Sequence, residues 1–301
     1  MMSQKTIILT GATGFLGSHL LRAFLSQGHK VVILKRRHSN LCRIEDLMGR
    51  VSAYDWDVGG IEQPFKEQGK VDAVIHTATC YGRQGESFDT VCEANVVLPL
   101  RLLDTATFFN TATFFNTDTC FNTDTILSEY LSAYALSKKQ FKDWGMLLAG
   151  MEKIRFVNIR LEHMYGPGDD TSKFTTHVVK SCLANVPHLD LTAGEQRRDF
   201  IFIDDVVSAY GTLLQKASSQ QGAFQEYGLG SGKAVSIRDF VELAHEAACS
   251  KTHLNFGALP HRRNEIMHSE ADITALESLG WFCRFSLRDG IRRTIEKERT
   301  V

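Results

Sequence analysis

The stretch Thr6-Ile7-Ile8-Leu9-Thr10-Gly11-Ala12-Thr13-Gly14-Phe15-Leu16-Gly17 decides the fold of this chain. Residues 5–10 contain a short β-branched and apolar run that ends at a glycine, and we expect them to form a buried strand. Residues 15–27 then carry leucine and phenylalanine at helical intervals, and Gly28 follows as a helix stop. A strand, a glycine turn and a helix in this order predict the first half of a β-α-β unit.

The turn itself carries three glycines at the spacing G-x-x-G-x-x-G. Glycines allow a tight turn and a close approach of backbone amides to a pyrophosphate, and the following helix adds the partial positive charge of its amino end. A packing turn without a ligand is the alternative. We expect a dinucleotide cofactor at this turn, in contact with Gly11, Thr13, Gly14, Phe15, Leu16 and Gly17.

Strand and helix patterns alternate along the first half of the chain. Apolar runs predict further strands at 31–34, 71–77, 113–117 and 154–160, and helical spacing covers 89–107 and 129–149. This alternation predicts an α/β fold, a Rossmann-like, doubly wound parallel sheet covered on both faces. Beyond residue 165 the patterns are looser, with helices at 174–184, 204–217 and 236–248. We expect a cofactor-binding domain at 1–165, whose sheet takes later strands as well, and a smaller substrate-binding lobe at 166–301.

Residues 105–125 form a near-repeat of six residues, TATFFN-TATFFN-TDTCFN-TDT. A hexapeptide β-helix is the structural alternative, but the repeat is short, and helix and strand patterns flank it. We therefore expect the first copy to end a helix and the second copy to form the strand at 113–117.

Composition and charge exclude several classes of protein. The 301 residues hold 34 Lys and Arg against 35 Asp and Glu, so we expect no basic surface for nucleic acid. No apolar run reaches the ~18 residues of a membrane span, and the first strand is too short for a secretion signal. The seven cysteines form no Cys-x-x-Cys pair, so we expect reduced thiols, no metal site and a cytoplasmic protein.

The second predicted strand leads into Lys35-Arg36-Arg37-His38. A carboxylate at this place would accept hydrogen bonds from the ribose 2′-hydroxyl of NAD, but this sequence carries three consecutive cations. Arginine grips a phosphate through two parallel hydrogen bonds, so Lys35, Arg36 and Arg37 favour NADP(H), with NAD(H) as the second choice. An ordinary solvated basic turn is the alternative.

A tyrosine and a lysine lie four residues apart, as Tyr134 and Lys138. On a helix their side chains share one face, where an ammonium lowers the pKa of a phenol from ~10. Tyr134 is then a usable acid or base at a carbonyl or an alcohol. Thr117 ends a predicted strand, at the edge of the sheet where ligands bind, and its hydroxyl is placed to bond the same substrate oxygen. A surface tyrosine beside a solvated lysine, and a turn rich in Thr and Asp, are the alternatives.

With these motifs the chain resembles the extended short-chain dehydrogenase/reductase family over residues 5–295. The resemblance rests on the glycine turn, on Thr117, Tyr134 and Lys138, and on ordered matches at 74–78, 93–96, 160–168, 198–206, 263–266 and 279–281. It implies that Thr117, Tyr134 and Lys138 are the catalytic residues. It also implies that Lys138 and Tyr134 contact the cofactor, with Lys138 at the nicotinamide ribose.

The resemblance implies further contacts outside these motifs. For the cofactor it adds Asp57 at the adenine, and Ala78 and Asn95 at the cofactor cleft. His163 stands where many relatives have an asparagine that faces the phosphate of the substrate. The implied substrate contacts are Asp118, Thr119, His163, Arg198 and Arg263.

Arg198 and Arg263 are candidates for gripping a diphosphate, since arginine is the natural fork for phosphate oxygens. For Arg198 the alternative is a surface ion pair with Asp199 or Glu195. Either arrangement places a guanidinium in the predicted substrate-binding lobe.

Within the family, residues 116–118 and 160–169 look most like the CDP-abequose and CDP-paratose synthases. These are reductases of CDP-4-keto-3,6-dideoxyglucose in O-antigen synthesis. The resemblance therefore implies NADPH-dependent reduction of the C4 ketone of a nucleotide-linked sugar, with Tyr134 as proton donor. Thr119 stands where the dehydratases of the family carry a base, which disfavours dehydration. A 4-epimerase with tightly bound NAD is the alternative, and a non-catalytic nucleotide-binding protein is the second.

The family often dimerises through a four-helix bundle, which implies a homodimer formed by the helices predicted at 89–107 and 129–149. Apolar side chains on these segments serve either that interface or the core: Leu98, Leu102, Leu131 and Leu147.

Overall fold

The structure, a computed structural model, describes residues 3–113, 119–216, 221–262 and 264–300. The chain divides into two compact units. The first comprises Met1–Arg160 and Tyr210–Tyr227, and the second comprises Leu161–Ala209 and Gly228–Val301. The units therefore alternate along the sequence, whereas our prediction places a single boundary at residue 165.

A seven-stranded parallel sheet lies at the centre of the fold in the described part of the chain. Its strands are β1 (Thr6–Thr10), β2 (Lys30–Lys35), β3 (Ser52–Asp55), β4 (Ala73–His76), β5 (Thr119–Thr125), β6 (Arg155–Leu161) and β10 (Phe224–Leu229). Across the sheet they follow the order β10-β6-β5-β4-β1-β2-β3, so the direction of winding reverses between β1 and β4. Ligands of such sheets bind at this reversal, outside the carboxyl ends of the strands. The predicted α/β fold with a doubly wound sheet is confirmed.

Helices connect the strands of the first unit. Each helix has an apolar face, which is buried when the helix packs against the sheet. They are α1 (Phe15–Ser26), α2 (Trp56–Gly59), α3 (Gln63–Gln68), α4 (Phe88–Cys92), α5 (Leu98–Thr113) and α6 (Ala133–Gly150). Helix α6 begins after Ser132, whose hydroxyl accepts a hydrogen bond from the backbone amide of Ala135 at 3.1 Å. Side chains from both helices and strands form one buried core that includes Ile8, Val74, Leu102, Phe141 and Phe156.

The strand predicted at 113–117 falls on residues of which the structure describes only Thr113. Thr113 is the last residue of α5, so the helix predicted at 89–107 continues further, and residues 114–118 lie outside the described residues. The strand beside β4 is β5, which begins six residues later than predicted. It pairs Cys120 with Val74 and Asn122 with His76. The third copy of the hexapeptide therefore supplies the strand that pairs with β4.

The second unit carries smaller sheets. Its strands are β7 (His163–Tyr165), β8 (His188–Leu191), β9 (Arg197–Phe202), β11 (Ala234–Ser236) and β12 (His253–Phe256). Within the described residues they pair as β11-β9-β7 and as β12-β8. The ring centroids of Phe200 and Phe240 lie 4.5 Å apart in its core, with the rings tilted by 31°.

The helices in the later half of the chain are α7 (Phe174–Ala184), α8 (Ile203–Lys216), α9 (Ile237–Ala248), α10 (Thr274–Ser278) and α11 (Leu287–Glu298). The three helical stretches that the sequence predicts here coincide with α7, α8 and α9. None of the helices in the described ranges is both long enough and apolar enough to span a membrane.

Candidate active site

The glycine turn connects β1 to α1 at the carboxyl end of β1. Gly11 has a φ of +70°, and a Cβ on it would lie 2.5 Å from the backbone nitrogen of Ala78. A Cβ on Gly17 would overlap the carbonyl oxygen of Gly11. Larger residues are excluded at both positions, because the turn packs against the chain that leaves β4 and against its own helix. This places Ala78 directly beside the predicted cofactor turn.

The amino end of α1 fits a pyrophosphate. The helix begins at Phe15, and its N-cap is Gly14, which is exposed and has no side chain to cap the helix. Amides in the first turn of a helix have no acceptor within that helix, and the helix dipole favours an anion there. Thr13 is half-buried beside Gly14, whereas Leu16 and Gly17 are buried in the turn behind it. The residues present therefore fit the cofactor for which the sequence argues.

Two of the three cations in the basic turn after β2 stay exposed. The Nζ of Lys35 donates to Oδ1 of Asp55 at 2.5 Å, so the charge of Lys35 is already paired. Arg36 and Arg37 are exposed, and the backbone amide of Arg37 donates to Oδ1 of Asp57 at 2.9 Å. The structure thus brings Asp57 next to the basic turn. Sequence reasoning missed Asp55. This residue ends β3 and lies opposite Lys35 in the pairing of β2 with β3.

Tyr134 and Lys138 lie one turn apart on α6. Lys138 is only 2% exposed, and burial lowers its pKa to about 8. Burial also raises the pKa of Tyr134 well above its usual value, and the neighbouring Tyr81 raises it further. The sequence analysis predicts a lowered pKa for Tyr134. That direction is wrong, because the loss of solvation outweighs the groups that lower this pKa.

The hydroxyl that meets Tyr134 belongs to Thr125, the last residue of β5. The Thr125 side chain lies close enough to the phenol to lower its pKa, although burial has the larger effect. The Oγ1 of Thr125 also accepts a hydrogen bond from the backbone amide of Leu127 at 3.3 Å. Thr117 and Asp118, which the sequence analysis assigns to this place, lie outside the described residues. Thr119 begins β5 at its other end, about 20 Å from Thr125 at ~3.3 Å per residue. Thr119 is therefore too distant to bond the oxygen that Tyr134 contacts, which corrects that prediction.

Asn95 lies in a π-helical turn (Glu93–Val97) before α5 and is fully buried. Its side-chain oxygen accepts from the amide of Cys80 at 2.7 Å, and its nitrogen donates to the carbonyl of Cys80 at 2.8 Å and to Oγ of Ser137 at 3.0 Å. Asn95 thus fastens the loop after β4 to helix α6. Its direct contact with a cofactor stays a prediction.

Tyr81 and Arg83 lie over Tyr134, and sequence reasoning missed both. The ring centroids of Tyr81 and Tyr134 are 5.0 Å apart, and the guanidinium of Arg83 lies 4.8 Å from the centroid of Tyr81. Both residues are exposed. Their position in the loop directly after the β4 motif is the signal that could have identified them.

In the second unit, two predicted substrate residues already have carboxylate partners. The Nδ1 of His163 lies 3.2 Å from Oε2 of Glu162. Arg198 is largely buried and forms an ion pair of 2.5 Å with Glu265, which is neither of the acidic residues named for it above. Arg263 lies outside the described residues. Contact of these side chains with a diphosphate stays a prediction.

Comparison with known proteins gives the class. The profile of the NAD dependent epimerase/dehydratase family matches residues 7–228, and the chain belongs to this family. The resemblance to the extended short-chain dehydrogenases/reductases is thereby confirmed. Proteins of this family depend on NAD(P), which agrees with the glycine turn at the sheet's winding reversal.

Individual relatives narrow the class further. The CDP-abequose synthase of Salmonella typhimurium is 34% identical over 297 residues, which cover 98% of either chain. Solved structures share the fold at lower identity. The UDP-glucose 4-epimerase of Thermotoga maritima, solved with UDP-glucose, superposes with a TM-score of 0.84 at 20% identity, over 98% of this chain and 99% of that one. The UDP-glucuronic acid 4-epimerase of Bacillus cereus, solved with UDP-glucuronic acid and NAD, superposes with a TM-score of 0.83 at 21% identity and the same coverage.

Proposed function

We propose that this protein is an NADPH-dependent reductase that acts on the C4 ketone of a nucleotide-linked deoxysugar. The observation that carries the proposal is the position of Thr125 beside Tyr134 at the carboxyl end of β5, with Lys138 one helical turn further along α6. The name of the Salmonella relative, a CDP-abequose synthase of 34% identity, supports a CDP-4-keto-3,6-dideoxyglucose-like substrate and a role in cell-surface sugar synthesis.

The buried environment of Tyr134 favours a proton donor. Because burial raises its pKa, Tyr134 keeps its proton at neutral pH. Reduction of a ketone needs such a donor at the developing alkoxide. Thr125 is placed to donate a hydrogen bond to the same oxygen. The exposed Arg36 and Arg37, which suit NADP(H) as a consumed reductant, favour reduction over the alternative of a 4-epimerase.

The nicotinamide cofactor supplies the hydride when it is bound. The turn from Gly11 to Gly17 would hold its pyrophosphate, Lys138 its nicotinamide ribose and Asp57 its adenine. We prefer NADP(H) to NAD(H), because the exposed guanidiniums of Arg36 and Arg37 are suited to a 2′-phosphate. Lys35 contributes less to this preference, because Asp55 already pairs with it.

The test is an absorbance assay of reduced nicotinamide with purified protein and a panel of nucleotide-linked 4-ketohexoses, among them CDP-4-keto-3,6-dideoxyglucose made in situ. We expect stoichiometric consumption of NADPH with a CDP-linked member, and slower consumption of NADH. Isomerisation of a sugar nucleotide without net consumption would identify a 4-epimerase. Cofactor binding without turnover of any member would identify a non-catalytic protein.

A homodimer is the proposed assembly. Trp144 and Leu147 are exposed on α6, and the exposed Met151 follows directly as its C-cap. Their helical intervals place them in an apolar stripe on one face. Of the residues named from the sequence, Leu131 is exposed as well, whereas Leu102 is buried in the core. The stripe supports an interface between two copies of α6, because an apolar helix face is stabilised when a partner covers it.

A further inference from the structure

We propose that Asp124 and Lys139 form a buried ion pair that positions Thr125 for the reaction at Tyr134. The inference rests on the proposed function and adds two positioning residues to it. Asp124 precedes Thr125 on β5, and Lys139 follows Lys138 on α6. The pair therefore links the strand that carries the catalytic hydroxyl to the helix that carries the catalytic tyrosine and lysine.

The ammonium of Lys139 forms its hydrogen bonds with two residues at the end of β5, Asp124 and Thr125. Its Nζ lies 3.3 Å from Oδ1 and 3.2 Å from Oδ2 of Asp124, and it donates to the carbonyl oxygen of Thr125 at 2.6 Å. The side chain of Asp124 is 0% exposed and that of Lys139 is 15% exposed. Charges removed from water to this degree are stable only when they are paired and hydrogen-bonded.

Thr125 is held through both of its backbone polar groups. Its amide donates to Oδ1 of Asp124 at 2.7 Å, and its carbonyl accepts from Lys139. Rotation of either peptide unit would break a charge-assisted hydrogen bond. The orientation of the Thr125 side chain toward Tyr134 is consequently fixed by its neighbours before any substrate binds.

Asp124 is anchored from behind by a second set of polar side chains. The Nδ2 of Asn158 donates to Oδ2 of Asp124 at 3.0 Å and to Oε2 of Glu226 at 2.8 Å. The Nδ2 of Asn122 donates to Oδ1 of Asn158 at 2.8 Å. These bonds join the neighbouring strands β5, β6 and β10. They leave Asp124 turned toward the protein interior, so it acts through Thr125 and does not serve as an acid toward substrate.

The two members of the pair act oppositely on Lys138. Asp124 raises its pKa and Lys139 lowers it, while burial remains the largest cause of the overall lowering to about 8. His76 on β4 also faces Lys138, but burial holds the pKa of His76 well below its usual value, so it stays uncharged at neutral pH. A change in either partner therefore moves the titration of Lys138 in a direction that can be stated beforehand.

The experiment compares Asp124→Asn, Lys139→Met and the double variant with Lys142→Met, a matched change on the same helix. We expect kcat to fall about 10- to 100-fold in the three pair variants, with the Kd for NADPH, followed by its fluorescence, within about twofold of the native value. The alkaline limb of kcat against pH should move to lower pH in Asp124→Asn and to higher pH in Lys139→Met. Lys142→Met should leave both readouts unchanged.

If the ion pair had only a structural role, its loss would lower stability without shifting the alkaline limb of kcat in opposite directions in the two single variants. Shifts in the same direction, or a native kcat in the pair variants, would overturn the proposal. The double variant keeps the test open if a single variant fails to fold, because it leaves no unpaired buried charge. Its kcat should stay low while its limb returns toward the native position.

Amide hydrogen exchange separates failure of this proposal from failure of the proposed function. We expect faster exchange around residues 124–127 in Lys139→Met than in Lys142→Met, with no substrate present. Faster exchange in a protein that reduces no sugar nucleotide would refute the reductase and keep the positioning pair. Unchanged exchange in an active reductase would refute the pair alone.

Discussion

The ring of Tyr134 and its hydroxyl have different neighbours, so the two can be tested separately. The ring packs 5.0 Å from Tyr81, whereas its oxygen meets Thr125. Tyr134→Phe keeps the ring and removes the proton donor, so kcat should fall about 10²- to 10⁴-fold at unchanged melting temperature and unchanged affinity for NADPH. Tyr130→Phe is the matched control, since Tyr130 is 85% exposed and the change should leave kcat as it is. A fully active Tyr134→Phe would show that another group donates the proton.

Lys138 gives the reaction a pH dependence. Burial lowers its pKa from its usual value to about 8, so Lys138 is charged below that pH and neutral above it. A role at the nicotinamide ribose uses the charged form, which donates from three hydrogens. We therefore expect kcat to decline as the pH rises through about 8, measured with saturating NADPH and substrate. In Lys138→Met the remaining activity should lack this decline, and a limb that persists there would belong to another group.

Strand β5 shows where local pattern fails to determine structure. Residues 113–119 read TFFNTDT and residues 119–125 read TCFNTDT, so the two frames differ only at Phe114 and Cys120. The alternation of polar and apolar residues is the same in both frames, and both end in Thr-Asp-Thr. Sequence reasoning therefore had no basis to separate them and chose the first. The structure places Cys120 opposite Val74 in the core, at 2% exposure. The one difference between the two frames therefore falls at a buried position, where close packing makes a core respond to side-chain volume.

The frame of β5 should respond to a change at that position. Cys120→Phe makes the two frames identical and adds volume to a filled core, which typically costs ~1–3 kcal/mol. We expect a matching loss in the free energy of unfolding in urea, together with reduced kcat. Cys92→Phe, at an exposed cysteine, is the control and should be close to neutral. A Cys120→Phe protein as stable and active as the native one would mean that volume does not select the frame.

At the scale of the whole molecule, the sequence predicts those features of the fold that are determined within short segments of the chain. The alternation of strands and helices, and the strand-glycine-helix order around Gly11, predict the doubly wound sheet because each signal spans about twenty residues or fewer. Contacts between distant segments were out of reach. Tyr81 lies on Tyr134, and Lys139 reaches Asp124, only because α6 packs beside β5 and the loop after β4. The spacing of residues along the chain does not predict contacts of this kind.

The assembly is tested at the same scale. The apolar stripe of Trp144, Leu147 and Met151 predicts that sedimentation gives twice the chain mass of 33.7 kDa at micromolar concentration. Leu147→Glu places a charge on the stripe and should give the single-chain mass with its secondary structure intact. Leu259→Glu, at an exposed leucine of the second unit, should leave the native mass unchanged. A native protein that sediments as a single chain would refute the dimer.

The hexapeptide before β5 also bears on how this gene can change. Since consecutive copies are nearly interchangeable, loss or gain of eighteen bases within them would leave the letters TCFNTDT and their pairing with β4 as they are. The first copy lies in α5, where Ala106 is buried in the core. A change in copy number would therefore alter the chain before β5 and leave the residues of β5 as they are. Variants with one hexapeptide more or fewer should keep the hydroxyl of Thr125 and differ in stability.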